Sequence, residues 1–361
     1  MDIPQNWQLN CEAHTLTSMK LGGPIDYFVK VVSMGELKTS LKIAQEKGLK
    51  IKIIGGGSNL LFADQGFRGL VIQPAFREIQ QLESEEAKKL QSYQEEMQTY
   101  AVTGRYRAEN TADFLKLEEQ ISEGKIGEPV LVEMGAGVNW GQAVAWSLQH
   151  SLAGLHYFAR IPCQVGGAVY NNIHAEKRLL SDRICLVKAL DPKTGEIKHY
   201  GTKDLEFGYD QSRFHQSCEV IISAIFQLDS VSPEQNKLNQ QQYLDWTKQK
   251  VAVQPSGPNC GSVFQNFTQH VVEAKGYTAV AAGWYVDQCG LKGKQIGEMQ
   301  VYPTHGNFII NLGQGTQVDF IQLVKEIRET VFKRFGLWLE PEVECINEQG
   351  EVHIWPQRVS G

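Results

Sequence analysis

Three glycine-rich runs hold the residues of this 361-residue chain best suited to cradle a ligand. Gly55-Gly56-Gly57-Ser58-Asn59 and Gly135-Ala136-Gly137 each follow an apolar stretch, and Ile161-Pro162-Cys163-Gln164-Val165-Gly166-Gly167-Ala168 precedes the pair Asn171-Asn172. Without a Cβ, glycine lets the backbone come close to a bound molecule and turn several N–H groups toward an anion such as a pyrophosphate. Any one run alone reads equally well as a tight turn. Together they suit a large cofactor carrying a pyrophosphate. The first run lacks the Lys-Ser/Thr ending of a Walker loop and the third glycine of the dinucleotide fingerprint, so neither reading applies.

The seven cysteines (Cys11, Cys163, Cys185, Cys218, Cys260, Cys289, Cys345) are an odd number without a C-x-x-C pair, which indicates neither a disulfide framework nor a metal site. Cys163, Cys260 and Cys289 lie near the motifs, but no histidine neighbours them in sequence, so they read as small packed apolar side chains rather than nucleophiles. Asn266-Phe267-Thr268 matches a glycosylation acceptor, a pattern without meaning in a cytosolic protein.

The loops need elements to position them. Tyr27 to Val32 reads as a strand, Gly35 to Lys47 as a helix and Ile51 to Ile54 as a second strand, a βαβ-like unit that leads into Val71-Ile72. Glu83 to Tyr100, rich in Glu, Lys and Gln with Glu85 and Lys89 four apart, reads as a solvated helix inserted between strands. Val130 to Met134 is a strand, and Asn139 to Gln149 a helix. Leu186 to Leu190 and Ile197 to Tyr200, joined by the turn Asp191 to Gly195, form a hairpin. Glu219 to Leu228 continues as a strand, Ser230 to Lys250 as a polar helix, and Val318 to Phe335 as a helix between strands at Phe308 to Ile310 and Glu342 to Glu344, giving an α+β class.

Length predicts two or three packed units, and a hydrophobic share of 42% with no apolar run of membrane-spanning length predicts a soluble protein with no membrane partner. The polar start, Met1 to Asn10, lacks signal-peptide features, so the expected compartment is the cytoplasm. A net charge of −6 argues against a nucleic-acid partner.

Beyond these patterns, the order of motifs resembles the UDP-N-acetylenolpyruvoylglucosamine reductases of peptidoglycan precursor synthesis. The resemblance runs through Lys20-Leu21-Gly22-Gly23-Pro24, Gly55 to Leu61, Gly66-Phe67-Arg68-Gly69, Gly135-Ala136-Gly137, Ile161-Pro162 with Gly166-Gly167-Ala168, and Phe207-Gly208-Tyr209 with Ser212-Arg213-Phe214. It continues through Gly261 to Asn266, Ala282-Gly283-Trp284 with Gly290 to Gly293, and Leu339-Glu340-Pro341-Glu342-Val343. It spans nearly the whole chain outside residues 79–128.

The resemblance implies an α+β protein with a two-part FAD-binding region of the vanillyl-alcohol-oxidase type and a C-terminal α+β substrate domain, and it looks like the family's second type. Residues 1–78 and 129–230 form the two FAD-binding subdomains in this reading, 79–128 a largely helical insert, and 231–361 the substrate domain with its tail. By resemblance Gly55, Gly56, Gly57, Ser58, Asn59, Leu60, Gly135, Ala136, Ile161, Pro162, Val165, Gly166, Gly167 and Ala168 hold FAD. Tyr209, Asn266 and His305 contact a nucleotide-sugar substrate, Ser262 donates a proton, and Glu342 stabilises the enol form. NADPH reduces FAD, and the reduced flavin passes hydride to the enolpyruvyl group; the protein is expected to be a monomer. Without the resemblance Ser262 is an ordinary turn or cap residue and Glu342 a solvated strand residue.

The chain departs from the family pattern where charge matters. Asp210 follows Tyr209 in place of the usual arginine, which would polarise the substrate carboxylate or the enolate. Gln265 stands for the usual lysine and Glu344 for a common arginine, while Arg160 and Cys163 replace glycines flanking Ile161-Pro162. Arg213, Lys292 and Arg160 are the candidate replacement cations. Two other readings predict different chemistry: another flavin oxidase on this fold, which has no need of Ser262 and Glu342, and a non-catalytic nucleotide-sugar-binding relative, which binds without turnover.

Overall fold

The structure, a computed structural model, describes residues 3–103, 124–175 and 178–355. The N-terminal unit is a four-stranded sheet in the order Gln8–Glu12, Pro24–Val31, Phe67–Pro74, Lys50–Ile53. Its last three strands are parallel, and the helix Met34–Glu46 crosses from the first of these to Lys50–Ile53, as the βαβ pattern predicts. Ser33 caps that helix by accepting from the Glu36 N–H, and Glu36 accepts in return from the Val32 N–H. Leu37, Leu41 and Ile43 bury one helix face against the sheet, each contributing about 1.5–3 kcal/mol.

The second sheet is antiparallel throughout, in the order Ile197–Gly201, Ile184–Leu190, Val220–Ser230, Val130–Gly135, Ile79–Gln81, with Leu152–Ala153 also paired to Val220–Ser230. The hairpin at its edge turns as its sequence requires: Asp191 Oδ1 accepts from the Lys193 and Thr194 N–H groups, and Gly195 takes φ 73°. Trp140 anchors the core of this unit, meeting Phe158 and Phe226 edge-on and donating its indole N–H to the Phe158 carbonyl.

The single helix expected over Glu83 to Tyr100 is two, Ser84–Lys88 and Gln91–Thr103. The break between them seats Leu90 and Tyr93 on the cluster of Met97, Leu131, Cys185, Leu186 and Ile225, so a helix that reads as solvated covers one face of the second sheet. The remainder of the expected insert falls in 104–123, outside the described residues.

The polar helix Pro233–Val253, capped by Ser232 with Pro233 in its first turn, leads to an antiparallel sheet ordered Asn259–Ser262, Phe308–Asn311, Met299–Val301, Gln295–Ile296. The helix Gln317–Phe335 packs Phe320, Leu323, Val324, Ile327 and Val331 into the core of that unit and stops at Gly336, which takes φ 65°. The last strand is Glu344–Ile346 rather than Glu342 to Glu344, and it pairs in parallel with Leu60–Phe62 of the N-terminal unit. The register of that pairing sets the strand boundary, and Glu342 is left just before it. Among the described residues no helix is long and apolar enough to cross a membrane.

Between Ile53 and Leu60 the glycine run forms a clamped loop. The Gly57 carbonyl accepts from the Ser18 N–H at 2.9 Å, and Gly57 takes φ 67°. A Cβ there would fall 1.9 Å from the Leu16 carbonyl oxygen, so both conformation and space demand glycine. Gly57→Ala is expected to destabilise the protein by about 1–3 kcal/mol in urea unfolding, whereas an unchanged midpoint would contradict this loop geometry.

Candidate active site

One cleft of about 1370 Å³ takes lining from the N-terminal unit, the second sheet unit and the C-terminal unit. Most of the sequence-predicted ligand residues line it: Gly55, Gly56, Gly57, Ser58, Asn59, Leu60, Ala136, Ile161, Pro162, Gly166, Gly167, Tyr209, Ser262, Asn266 and Glu342. Gly135, Val165, Ala168 and His305 do not line it. Gly135 lies against Phe76, where a Cβ would come within 2.3 Å of the Phe76 carbonyl, and Val165 and Ala168 are buried core. His305 shapes the turn before Phe308, accepting at Nδ1 from the Asn307 N–H and meeting the Phe308 ring edge-on.

Among the described residues, the N–H groups of Gly55, Gly56, Gly57 and Ser58 are given to no protein acceptor. Four consecutive donors without a protein acceptor in the lining of a cleft are the kind of group that an anion accepts from. The second and third glycine runs differ: the N–H groups of Ala136, Gly137 and Gly166 are taken by the carbonyls of Ile222, Phe76 and Ala136. Those runs bring two chain segments close together and line the cleft with little bulk. Arg160, standing for a glycine, takes φ 57°, so the left-handed backbone usual for glycine is present here with a side chain on it.

Ser262 and Glu342 come together through backbone pairing. The Glu342 N–H donates to the Val263 carbonyl at 2.9 Å, and Phe264 bridges Pro341. Asn307, which no motif marked, clamps this pairing by accepting from the Phe264 N–H and donating to its carbonyl. Asn266 accepts at Oδ1 from the Ala282 N–H, holding the start of the helix Ala282–Gln288 at the cleft.

Two carboxyls that project from neighbouring alternate positions meet opposite environments. Burial, reinforced by the charge of Asp210, raises the Glu342 carboxyl well above its ordinary value of 4.5 and so favours its protonated form. Burial also pushes Glu344 upward, but Lys52 at 2.7 Å, the Tyr170 hydroxyl at 2.7 Å and His215 outweigh it and hold Glu344 ionised. Burial and then Glu344 raise the Tyr170 phenol, and the ring stacks on His215 at 4.0 Å. Pairs of acids pushed apart in this way mark sites of proton chemistry.

The candidate cations are placed elsewhere or engaged. Arg213 lies over the Tyr200 ring and Lys292 pairs with Asp287 at 2.8 Å, neither lining the cleft, whereas Arg160 does line it. Lys52 reaches the cleft from the N-terminal sheet and is bound to Glu344. Asp210 contacts the imidazole of His174, which in turn contacts the Tyr209 hydroxyl. Lys52, Tyr170 and His174 belong to no motif, and only their convergence in space identifies them. Burial raises the thiols of Cys163 and Cys260, which fits the packed apolar reading of both.

The fold and cleft are those of a flavoprotein with an FAD-binding region and an appended α+β domain. A family model described as an FAD binding domain matches residues 124–201, and one described as the C-terminal domain of UDP-N-acetylenolpyruvoylglucosamine reductase matches residues 253–346. The UDP-N-acetylenolpyruvoylglucosamine reductase of Geobacter metallireducens is 32% identical over 92% of this chain and 91% of its own length. That of Streptococcus pyogenes is 30% identical, covering 96% of this chain and 97% of its own. The crystal structure of the Thermus caldophilus enzyme superposes with a TM-score of 0.65 at 25% identity, covering 94% of this chain and 97% of that one. This chain belongs to the UDP-N-acetylenolpyruvoylglucosamine reductase family.

A folded-state carboxyl raised above its unfolded value binds more protons folded than unfolded, so its contribution to stability falls as pH rises above that unfolded value. Glu342→Gln removes this loss. The variant is expected to gain stability relative to the parent as pH rises above about 4.5, read by urea unfolding across pH. A stability difference that does not change with pH would mean that folding does not raise the Glu342 carboxyl.

Proposed function

We propose that this chain reduces the enolpyruvyl group of UDP-N-acetylenolpyruvoylglucosamine to UDP-N-acetylmuramate, with FAD bound in the cleft and NADPH as donor, in the synthesis of peptidoglycan precursor. The observation that carries the reading is a cleft that joins four N–H groups at Gly55 to Ser58, without an acceptor among the described residues, with Ser262 and the buried Glu342. Four such donors and a volume of about 1370 Å³ fit a dinucleotide cofactor with its pyrophosphate on the loop. When bound, FAD supplies the hydride that it takes from the nicotinamide.

The chain's own part is acid–base and electrostatic. Hydride arriving at the vinyl carbon leaves negative charge delocalised into the adjacent carboxylate as an enolate. The protonated Glu342 carboxyl donates a hydrogen bond to that developing charge, and Ser262 delivers the proton to the neighbouring carbon. Ser262 suits this part because no described residue engages its hydroxyl. Tyr209 and Asn266 hold the substrate. The chain is proposed to act as a monomer in the cytoplasm.

A non-catalytic relative is the reading that Asp210 favours, and one experiment divides the two. Purified protein is reduced by NADPH without oxygen, and the nucleotide sugar is then added. Reoxidation of the flavin supports the reductase, and a reduced flavin that persists with the sugar bound supports the binding protein. Ser262→Ala is expected to keep flavin reduction by NADPH and to slow reoxidation by about 10²–10⁴-fold. Unchanged reoxidation would remove Ser262 from the proton step.

A further inference from the structure

A second cavity, of about 160 Å³, lies outside the cleft, and the two share no described lining residue. Its polar lining is Tyr157 and Arg178 from the second unit and Gln235, Asn239 and Gln242 from the helix Pro233–Val253. Positions 235, 239 and 242 are four and three apart, so they share one face of that helix. Where most helices turn an apolar stripe inward, this one gives three amides to the cavity, with Asn239 buried and Gln242 exposed. None of these five residues belongs to a motif of the family resemblance.

Arg178 is only 8% exposed, and its guanidinium carbon lies 3.8 Å from the centre of the Tyr157 ring. An arginine side chain brings a positive charge and five N–H donors, which are costly to bury unless acceptors meet them. The negative face of the Tyr157 ring offsets part of that cost. Arg178 Nε is buried with no hydrogen-bond partner, and no described residue accepts from its other guanidinium nitrogens or forms an ion pair with them.

The described carboxylates of this region are engaged elsewhere. Asp229 is shared by Arg183 at 3.0 Å and Lys125 at 3.2 Å, and Asp182 accepts from the Leu179 N–H at 3.1 Å. The fully buried His156 feels both arginines: burial, then Arg183 and Arg178, push its imidazole down to about 3, which favours the neutral ring. Asn239 adds a further donor, since its Oδ1 accepts from Gln235 Nε2 at 3.1 Å while no described residue accepts from its Nδ2. A guanidinium and an amide that lack acceptors, in the lining of one cavity, are complementary to an anion.

We propose that this cavity is a binding site for a phosphate-sized oxyanion, held by the Arg178 guanidinium and the Asn239 amide. The ligand is the free ion or the phosphoryl group of a small metabolite, since both present the same oxygens to a guanidinium. A volume of about 160 Å³ is well below the roughly 300–1,000 Å³ of pockets for drug-sized ligands, which sets the size class. The bound anion joins the strand Arg178–Leu179 to the helix Pro233–Val253. The site stands apart from the reductase reading, because none of these residues lines the cleft.

The test is calorimetric titration of the purified full chain, with FAD in excess, against inorganic phosphate and glycerol 3-phosphate in chloride buffer at constant ionic strength. Saturable binding of at least one of them is expected, with a Kd of about 1 mM or tighter. Glycerol 3-phosphate binding at least tenfold tighter identifies a phosphorylated metabolite, and phosphate binding as tightly or more tightly identifies the free ion. Arg178→Met keeps the bulk against Tyr157 but removes the charge and its donors, and it should weaken binding at least tenfold. Gln242→Glu is the second variant, needed if the first fails to fold. It is exposed and of the same shape, and its carboxylate in the cavity lining should weaken binding at least tenfold by repelling the anion or by taking its place. A parent without saturable binding overturns the proposal, as does a folded Arg178→Met or Gln242→Glu protein with the parent's affinity.

Discussion

The pairing of the C-terminal strand with the strand after the glycine loop is the contact on which the cleft depends. Glu344–Ile346 lies parallel to Leu60–Phe62, the Glu344 N–H donates to the Asn59 carbonyl, and the Asn59 amide donates to the Glu342 carbonyl. Gln317 at the head of the last long helix donates to both the Leu61 and Ile346 carbonyls, so the two strands are held from a third side. The same backbone bonds that end the glycine loop therefore also place Glu342 beside Val263 and Ser262. Residues at alternate positions share a face, and a slip of one residue would turn Val343 inward in place of Glu342 and Glu344. The geometry of the cleft and the strand register are one constraint here.

Electrostatics divides the resulting pair of carboxyls. Glu344 has Lys52 and Tyr170 in hydrogen-bond contact, which lower its carboxyl, whereas burial and then Asp210 raise that of Glu342. Aspartate in an arginine's place looks at first like a loss of electrophilic assistance. In this setting it adds to the upward push that burial gives the Glu342 carboxyl, and it lies in hydrogen-bond contact with His174.

Three of the seven described non-glycine residues with positive φ lie at or next to the cleft. Arg160, Asn172 and Asp210 all take positive φ without being glycine, at φ 57°, 44° and 51°. Each such residue costs about 1–3 kcal/mol and persists where surrounding contacts over-determine it. Asn172 is held by bonds to Gly208 and Ser181, and Asp210 by His174, so the strained residues are part of the cleft's own hydrogen-bond network.

Local patterns in the chain determined much of this on their own. The βαβ unit, the Leu186 to Tyr200 hairpin and the long C-terminal helix follow from periodicity and turn chemistry, which act within a few residues. The glycine runs and the ordered motifs around Ser262 and Glu342 marked segments that line the cleft, and they carried the family resemblance, because those requirements are written in residue type. Tertiary structure alone decided the rest. It divided the Glu83 to Tyr100 stretch into two helices by burying Leu90 on a sheet face, and it started the last strand at Glu344 by pairing it with residues far away in sequence. It shifted the Glu342 and Glu344 carboxyls in opposite directions, and it brought Lys52, Tyr170 and His174 into the cleft. A carboxyl's proton depends on burial and on charges a few ångströms away, and neither is a property of the residue or of its neighbours in the chain.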